Sequence, residues 1–296
     1  MTLRNALRAA TNTLENAGVD SPSLTAELLL AHVLSELPLR LRLDLNRELS
    51  APLAHDFTEF VRRRATRIPL QHLIGTAPFL DLTLWVTRDV LIPRPETEGL
   101  GLLASAVLTE MVQSGAPMQA PPQVLDYATG SGCLALFLAS QNPTAQVHAL
   151  DVSPAAIAVA RQNAQQLGLD GRVRFYLGDG FAALENLVSR MPAPFNLVVS
   201  NPPYIPSGEI AQLEPEIRNH EPHLALDGGS DGLDFYRRLA QETPAWLRPG
   251  GSLLAEFGDG QAEGLEKIFA SRHWREMTIT KDLSGRDRLF IARRPA

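Results

Sequence analysis

The chain has 296 residues, 45% of them hydrophobic and 20% charged, with a net charge of −6 and a pI near 5.7. This is a soluble globular composition, long enough for one large domain or two moderate ones. The acidic balance gives no general grip on nucleic acid phosphates, no apolar run reaches the roughly 18 residues of a membrane span, and the single cysteine, Cys133, leaves no disulfide framework or thiolate cluster.

Residues 2 to about 74 are rich in Leu, Ala, Arg and Glu. The opening Met1 to Arg8 is basic and acid-poor, as transit peptides are. It nevertheless runs into a helical pattern carrying Glu15 with no cleavage-like break, so it reads as a folded helix of a cytoplasmic protein. Leu3, Leu7 and Leu14 repeat at helical spacing. Leu24, Leu28, Ala31 and Leu34 do so again after Ser21-Pro22-Ser23, a cap and helix start, and Phe57, Phe60 and Val61 add a third amphipathic stretch. A small helical bundle is predicted for 1–74. Within it, Arg62-Arg63-Arg64 and Arg67 read as a solvated helix face.

The pattern changes near Gly75. Phe79 to Val86 alternates loosely with period two and Val90-Leu91-Ile92 follows a Thr87-Arg88-Asp89 turn, which predicts a β-hairpin linker over 75–92. Leu91 to Glu98 then leads into a helix through about residue 113, and a loop runs from Gly115 to Pro122. From Gln123 strands and helices alternate. Strands are predicted at 124–126, 146–151, 173–177, 195–200, 251–257, 277–281 and 288–293, with helices at 133–141, 154–167 and 235–247. Such alternation implies an α/β domain over 93–296, an open and mostly parallel Rossmann-like sheet with helices on both faces. Ligands in such sheets sit beyond the carboxyl ends of the strands.

The polar residues that carry chemistry fall at those ends. Asn201-Pro202-Pro203-Tyr204 follows the apolar run Phe195 to Ser200. Neither proline can donate to a ladder, so the carbonyls past the strand end stay free. The Asn201 side chain and the Pro202 carbonyl then offer two acceptors to a planar –NH₂ group, and Tyr204 a flat face. That combination suits an amide or an exocyclic base amine, although Asn-Pro is also a common turn starter. Asp126-Tyr127-Ala128-Thr129-Gly130-Ser131-Gly132 follows the first strand, as phosphate and nucleoside loops do. NAD enzymes and methyltransferases share a lone GxG, but the spacing after the first pair differs from a dinucleotide loop. Asp151 suits a ribose diol in either class. Asp179, beside Gly180, stands where an adenine amino group could be read, with helix capping as its other reading. Glu256, Asp259 and Gln261 read either as a support layer at another strand end or as surface residues, and are not counted in the site.

With these residues in view, the chain resembles the HemK/PrmC protein-glutamine methyltransferases, which modify peptide-chain release factors. The resemblance is carried by Arg67 to Gly75, Leu91-Ile92-Pro93-Arg94-Pro95-Glu96-Thr97-Glu98, Asn201 to Ile205, Glu221-Pro222 with Ala225-Leu226, Gly229 to Leu233 and Asp282 to Arg288. The Asn201 to Tyr204 run alone also fits adenine and guanine amino-methyltransferases; joined to the Pro93 to Glu98 run it is more specific. The resemblance implies a helical substrate-recognition domain, a hairpin linker and a seven-stranded class I S-adenosylmethionine-dependent domain with an antiparallel last strand. It implies methylation of the glutamine amide in a Gly-Gly-Gln loop, with S-adenosylhomocysteine as the other product and no metal. Cofactor contacts then fall to Ala128, Thr129, Gly130, Ser131, Gly132, Asp151, Asp179, Gly180 and Asn201. Chemistry falls to Asn201, Pro202 and Tyr204, and substrate binding to these with Pro203, Arg94 and Glu96. Arg94, Glu96 and Glu98 have a plainer reading as an ion-paired helix start.

Three positions depart from the family pattern. The family usually has glycine at position 128 and an aliphatic residue at 127, and some relatives carry a large aromatic where Gly180 stands. An alanine at 128 is harmless at negative φ; at positive φ, cofactor affinity is expected to drop. The rival readings are a DNA or RNA amino-methyltransferase acting on a flipped base, which wants a basic target-recognition region, and a catalytically silent cofactor-binding module. A monomer that binds release factors, without stable nucleic acid or membrane binding, is the expected form.

Overall fold

The computed structural model describes residues 1–113, 121–185, 195–271, 273–282 and 284–296. Most of the predicted Gly115 to Pro122 loop, and Leu283 of the Asp282 to Arg288 run, lie outside the described residues. The chain forms two units. One comprises Met1–Thr76 with Glu214–His220, the other Ala77–Leu213 with Glu221–Ala296.

The first unit is helical. α1 (Leu3–Asn16) starts where the Thr2 hydroxyl accepts the Asn5 N–H, and α2 (Pro22–Leu34) starts at a proline. Ser21 does not cap it with its side chain; it sits in the left-handed region at φ 49°. α3 (Pro38–Leu43), α4 (Ala51–Ala65) and α5 (Leu70–Ile74) complete the first stretch of chain. α3 and α5 are too short to show a helical period, which is why patterning misses them. Leu3, Leu14, Leu29, Leu30, Phe57 and Val61 fill the core. The short helix Pro215–His220, from far along the sequence, belongs to the same unit. Its Glu216 pairs with Arg64 (2.8 Å) and Arg67 (2.6 Å). The solvated-face reading therefore fits Arg62, which pairs with Glu59 at the surface, but not Arg64, which is 6% exposed.

The second unit begins at Ala77, inside a hairpin whose strands are β1 (Thr76–Phe79) and β2 (Leu82–Trp85), turning at Leu80-Asp81 with Leu80 at φ 52°. The hairpin lies one strand earlier than the sequence pattern predicts. Val90 and Ile92 form no strand; they are buried with Ala77, Val86, Ala156 and Val159 in a small cluster, and that packing produces their apolar spacing. α6 (Pro95–Gln113) follows. The sheet then comprises β3 (Gln123–Tyr127), β4 (Gln146–Asp151), β5 (Val173–Leu177), β6 (Phe195–Ser200), β7 (Leu247–Glu256), β8 (Glu276–Lys281) and β9 (Asp287–Arg293), in spatial order β5-β4-β3-β6-β7-β9-β8. β9 is antiparallel to both neighbours, and the other adjacent pairs are parallel. α7 (Cys133–Gln141) and α8 (Pro154–Gln166) follow β3 and β4. The predicted 235–247 helix is shorter, Asp234–Glu242, because Pro244 converts its tail into a 3-10 turn and the chain enters β7 at Leu247.

Near-continuous apolar strands such as Leu197-Val198-Val199 are buried on both faces, as a parallel sheet requires. One core packs α6 and α7 on Val124, Val147, Leu197 and Leu254; the other packs the Asp234–Glu242 and Ala262–Phe269 helices on Leu125, Val198, Leu253 and Phe290. The strand order reverses between β3 and β6, which pair through Tyr127 and Ser200. Their carboxyl ends therefore open a crevice at the switch point. Among the described residues no helix is long and apolar enough to cross a membrane.

Candidate active site at the carboxyl edge of the sheet

The turn after β3 places three residues in the left-handed region: Ala128 at φ 62°, Gly130 at 56° and Gly132 at 85°. The turn is held by the chain itself. Thr129 N–H donates to the Leu150 carbonyl (2.9 Å), Gly130 N–H to Asp151 Oδ2 (2.9 Å) and Gly132 N–H to the Thr129 carbonyl (2.8 Å). A Cβ at Gly132 would meet Leu136 and Ala160 at 3.1 and 3.2 Å, so glycine there lets the loop lie on α8. Asp126 anchors the loop from below: Oδ2 accepts the Thr129 hydroxyl (2.6 Å) and the Ala135 N–H (3.0 Å). Burial pushes its carboxyl up to about 7, and its buried Oδ1 has no partner among the described residues.

Asp151, at the end of β4, spends one oxygen on Gly130 and the other on Ser153 N–H (2.9 Å), and burial raises its pKa. Asp179 does not cap the 3-10 turn Gly180–Leu184 that follows it; it pairs with Arg238. The two departures at 127 and 180 fit together. Tyr127 packs its ring on Phe181 at 5.2 Å, and a Cβ at Gly180 would lie 2.8 Å from the Tyr127 hydroxyl and closer still to the Arg238 guanidinium. A large residue at 127 thus occupies the space that an aromatic at 180 would need.

Asn201 is the first residue past β6. Its Nδ2 donates to Thr97 Oγ1 (2.9 Å), and Thr97 in turn donates to Glu256 Oε2 (2.6 Å). The Tyr204 hydroxyl donates to Glu256 Oε1 (3.2 Å). Nothing in the chain donates to Asn201 Oδ1 or to the Pro202 carbonyl among the described residues. Glu256 is 1% exposed, and burial lifts its carboxyl to about 7. Gln261 supports the same loop, donating to the Tyr204 carbonyl (2.8 Å) and accepting the Gly258 N–H (2.8 Å). The glycine run follows from this crowding, since a Cβ at Gly232 would collide with the Tyr204 carbonyl.

A cavity of about 310 Å³ joins these elements. Its walls include Arg94, Ala128, Thr129, Gly130, Ser131, Asp151, Asp179, Gly180, Asn201 and Pro203. Of the other predicted site residues, Gly132 supports the loop from behind, and Pro202 and Tyr204 do not line the cavity. Glu96 is exposed and also lies off it. Glu98 accepts the Leu80 N–H (2.9 Å) and belongs to the hairpin. Arg94 is bound by both oxygens of the buried Glu221 (2.7 and 2.8 Å). Sequence reasoning passed over Asp126, Thr97 and Phe235, which also line the cavity, and left Glu256 uncounted. Glu256 had a signal. A carboxylate closing the apolar Leu253-Leu254-Ala255 run, at the ligand-facing edge, is costly to bury without a task. Asp259 is exposed, as its surface reading has it.

A seven-stranded, mostly parallel sheet with this loop and this crevice is the class I methyltransferase fold, and the chain is an S-adenosylmethionine-dependent methyltransferase. The same fold is found in a methyltransferase from Pyrococcus furiosus (17% identity, TM-score 0.54, 79% of this chain and 99% of that one) and in the human Mettl16 catalytic domain (14%, 0.56, 90% and 92%). Residues 5–75 match the PrmC N-terminal domain and 121–254 a methyltransferase domain. Proteins named release factor glutamine methyltransferase are 43% identical in Cereibacter sphaeroides (all of both chains), 40% in Caulobacter vibrioides (98% and 96%) and 41% in Deinococcus radiodurans (99% of each). The chain belongs to the release factor glutamine methyltransferase family.

The residues fit the cofactor. Asp126 Oδ1, buried and unpartnered, is an acceptor suited to an ammonium group, and Asp151 and the left-handed loop frame the same cavity.

Proposed function

We propose that the protein methylates the side-chain amide nitrogen of the glutamine in the Gly-Gly-Gln loop of peptide-chain release factors. Bound S-adenosylmethionine supplies an electrophilic sulfonium methyl. Ala128 to Gly132, Asp126, Asp151, Asp179 and Gly180 hold the cofactor in this reading. Asn201 Oδ1, on the cavity wall, accepts one N–H of the substrate amide, and the Pro202 carbonyl, outside that wall, accepts the other once the substrate loop is seated. Amide nitrogen is a poor nucleophile because its lone pair is delocalised into the carbonyl. Fixing that nitrogen in line can supply on the order of 7–11 kcal/mol in well-oriented cases. The same acceptors favour positive charge developing at nitrogen. Pro203 keeps the loop shape, and Tyr204 acts through Glu256. Arg94, held by Glu221, closes the cavity wall toward the substrate, and the exposed Glu96 meets the release factor outside the cavity.

The observation that carries the reading is Asn201: its amide nitrogen is tied to Thr97 while its oxygen is free beside the cavity. Relatives named for release factor glutamine methylation supply the substrate class. Recognition of the release factor by the helical unit of residues 1–74, joined by a linker over 75–92 that contains the β1–β2 hairpin to a catalytic part at 93–296, belongs to the same proposal, as does action as a cytoplasmic monomer.

The test is mass spectrometry of release-factor peptides after incubation with the cofactor. One CH₂ of added mass is expected on the loop glutamine. In Asn201→Ala it falls by about two orders of magnitude or more while cofactor affinity stays within a few-fold. A cofactor-bound enzyme that leaves this glutamine unmodified, yet labels nucleic acid, replaces the reading with the base-amine one.

A further inference from the structure

We propose that Glu256 is a positioning residue which, through Thr97, fixes the end of the Asn201 carboxamide that faces the substrate. The inference rests on the reading of Asn201 as an acceptor for the substrate amide and deepens it.

A carboxamide has two ends of nearly equal size and opposite polarity. A substrate –NH₂ needs the oxygen; a half-turn presents a second donor and the contact becomes repulsive. Neither β6 nor the two prolines decides between them. Thr97 does. Its hydroxyl has one proton, and the Glu256 carboxylate 2.6 Å away accepts it. The lone pairs left on Oγ1 can then only accept, so the partner at 2.9 Å is the Asn201 nitrogen. Tyr204 donates to the other carboxylate oxygen, which completes a chain of donors pointing toward Glu256. Protonating Glu256 reverses the chain. The new carboxyl proton points at Thr97, the Thr97 proton turns toward Asn201, and the carboxamide flips.

The surroundings keep that reversal within reach. Burial dominates and lifts Glu256 to about 7; Glu96 on α6 raises it further and Arg288 on β9 opposes. From the other packed elements, Tyr236 donates to the Glu256 backbone carbonyl (2.7 Å), and Cys133 on α7 is a neutral thiol, pushed up to about 12 by burial.

The test follows the Asn201 side-chain NH₂ signals of the ¹⁵N-labelled full-length protein from about pH 5.5 to 8.5, a span that brackets a carboxyl lifted to near 7. A single transition near pH 7 is expected, and it should vanish in Glu256→Gln and Thr97→Val. With release factor as substrate, Thr97→Val is expected to lower kcat about 10- to 100-fold, the range for an unmade buried hydrogen bond, with cofactor affinity held within about twofold. Thr97→Ser should recover most of the loss, and Glu256→Gln should flatten the acidic limb of kcat/KM. Asn201 signals that do not titrate, or a folded Thr97→Val with wild-type kcat, overturn the proposal. If Thr97→Val does not fold, Glu256→Gln gives both readings. The spectra need no substrate. A wild-type protein that shows the transition but methylates no release factor therefore overturns the functional reading and not this one.

Discussion

Ala128 holds a left-handed backbone that the chain's own hydrogen bonds impose, and replacing it with glycine isolates the cost. A non-glycine residue there costs roughly 1–2 kcal/mol. Glycine gives back about 0.4–1 kcal/mol of this through the greater freedom of the unfolded chain. The net gain of Ala128→Gly is therefore at most about 0.5–1 kcal/mol, since the half-buried methyl also gives up its packing on the core, or at most some 1–4 °C in the melting midpoint for a unit of this size. Cofactor affinity is a separate matter. Thr129, Gly130 and Gly132 are all bonded to the Leu150 carbonyl, Asp151 or one another without help from a ligand. The chain's own bonds thus impose the strain, so its cost is predicted to fall on stability, whereas the sequence reading places it on cofactor affinity. Thermal unfolding and calorimetric titration with S-adenosylmethionine, run on both forms, read the two quantities. A higher midpoint with Kd unchanged within about twofold is expected. A lower midpoint, or a tenfold tighter Kd at an unchanged midpoint, refutes the reasoning.

Asp151→Asn leaves one acceptor oxygen where Gly130 and Ser153 now use two; cofactor affinity is expected to fall at least tenfold by calorimetry, since one buried donor loses its partner. Arg94→Ala strands the buried Glu221, at a cost of about 2 kcal/mol once the partial exposure of the arginine is allowed for. Burial already raises the Glu221 pKa, and losing the arginine raises it more. The variant's deficit, read by denaturant midpoints, should therefore be larger at pH 8 than at pH 5.5. Glu256 and Asp126 are held near 7, above their unfolded values, so the native state binds more protons than the unfolded one between about pH 4 and 7. Stability is thus present at low pH and lost as pH rises through 7. The loss is on the order of 3 kcal/mol for Glu256 at 1.36 kcal/mol per tenfold change in proton affinity, and Glu256→Gln should remove that part of the slope.

The sheet was legible because its strands are buried on both faces and so read as continuous apolar runs, each closed by a polar residue at the ligand-facing edge. The helices at Cys133 and Pro154 were legible for a similar reason, since each begins directly after a loop or cap that the sequence displays. What failed was local and physical. Val90 and Ile92 carry a strand-like spacing because they pack on α8, and α3 and α5 are too short to have a period. No local pattern reveals that Glu214 to His220 pairs with Arg64 and Arg67, because the charges that meet are some 150 positions apart in the chain.

The site divides along the same line. Asn201, Asp151 and the glycine loop announce themselves, since each is chemically unusual where it stands. Thr97, Glu256 and Gly180 do not, because their meaning is relational. Thr97 matters only once the fold sets it between Asn201 and Glu256, 104 and 159 positions away. Gly180 looks like the loss of the large aromatic that some relatives carry until Tyr127 and Arg238 are found filling its space. A departure from a family pattern at one position is therefore weak evidence of lost function by itself. It has to be weighed against the residue that the fold brings opposite, and at 127 and 180 the two departures account for each other. At 128 the left-handed backbone cost is set against the packing of the half-buried methyl group on the core that holds Tyr127 and Phe181.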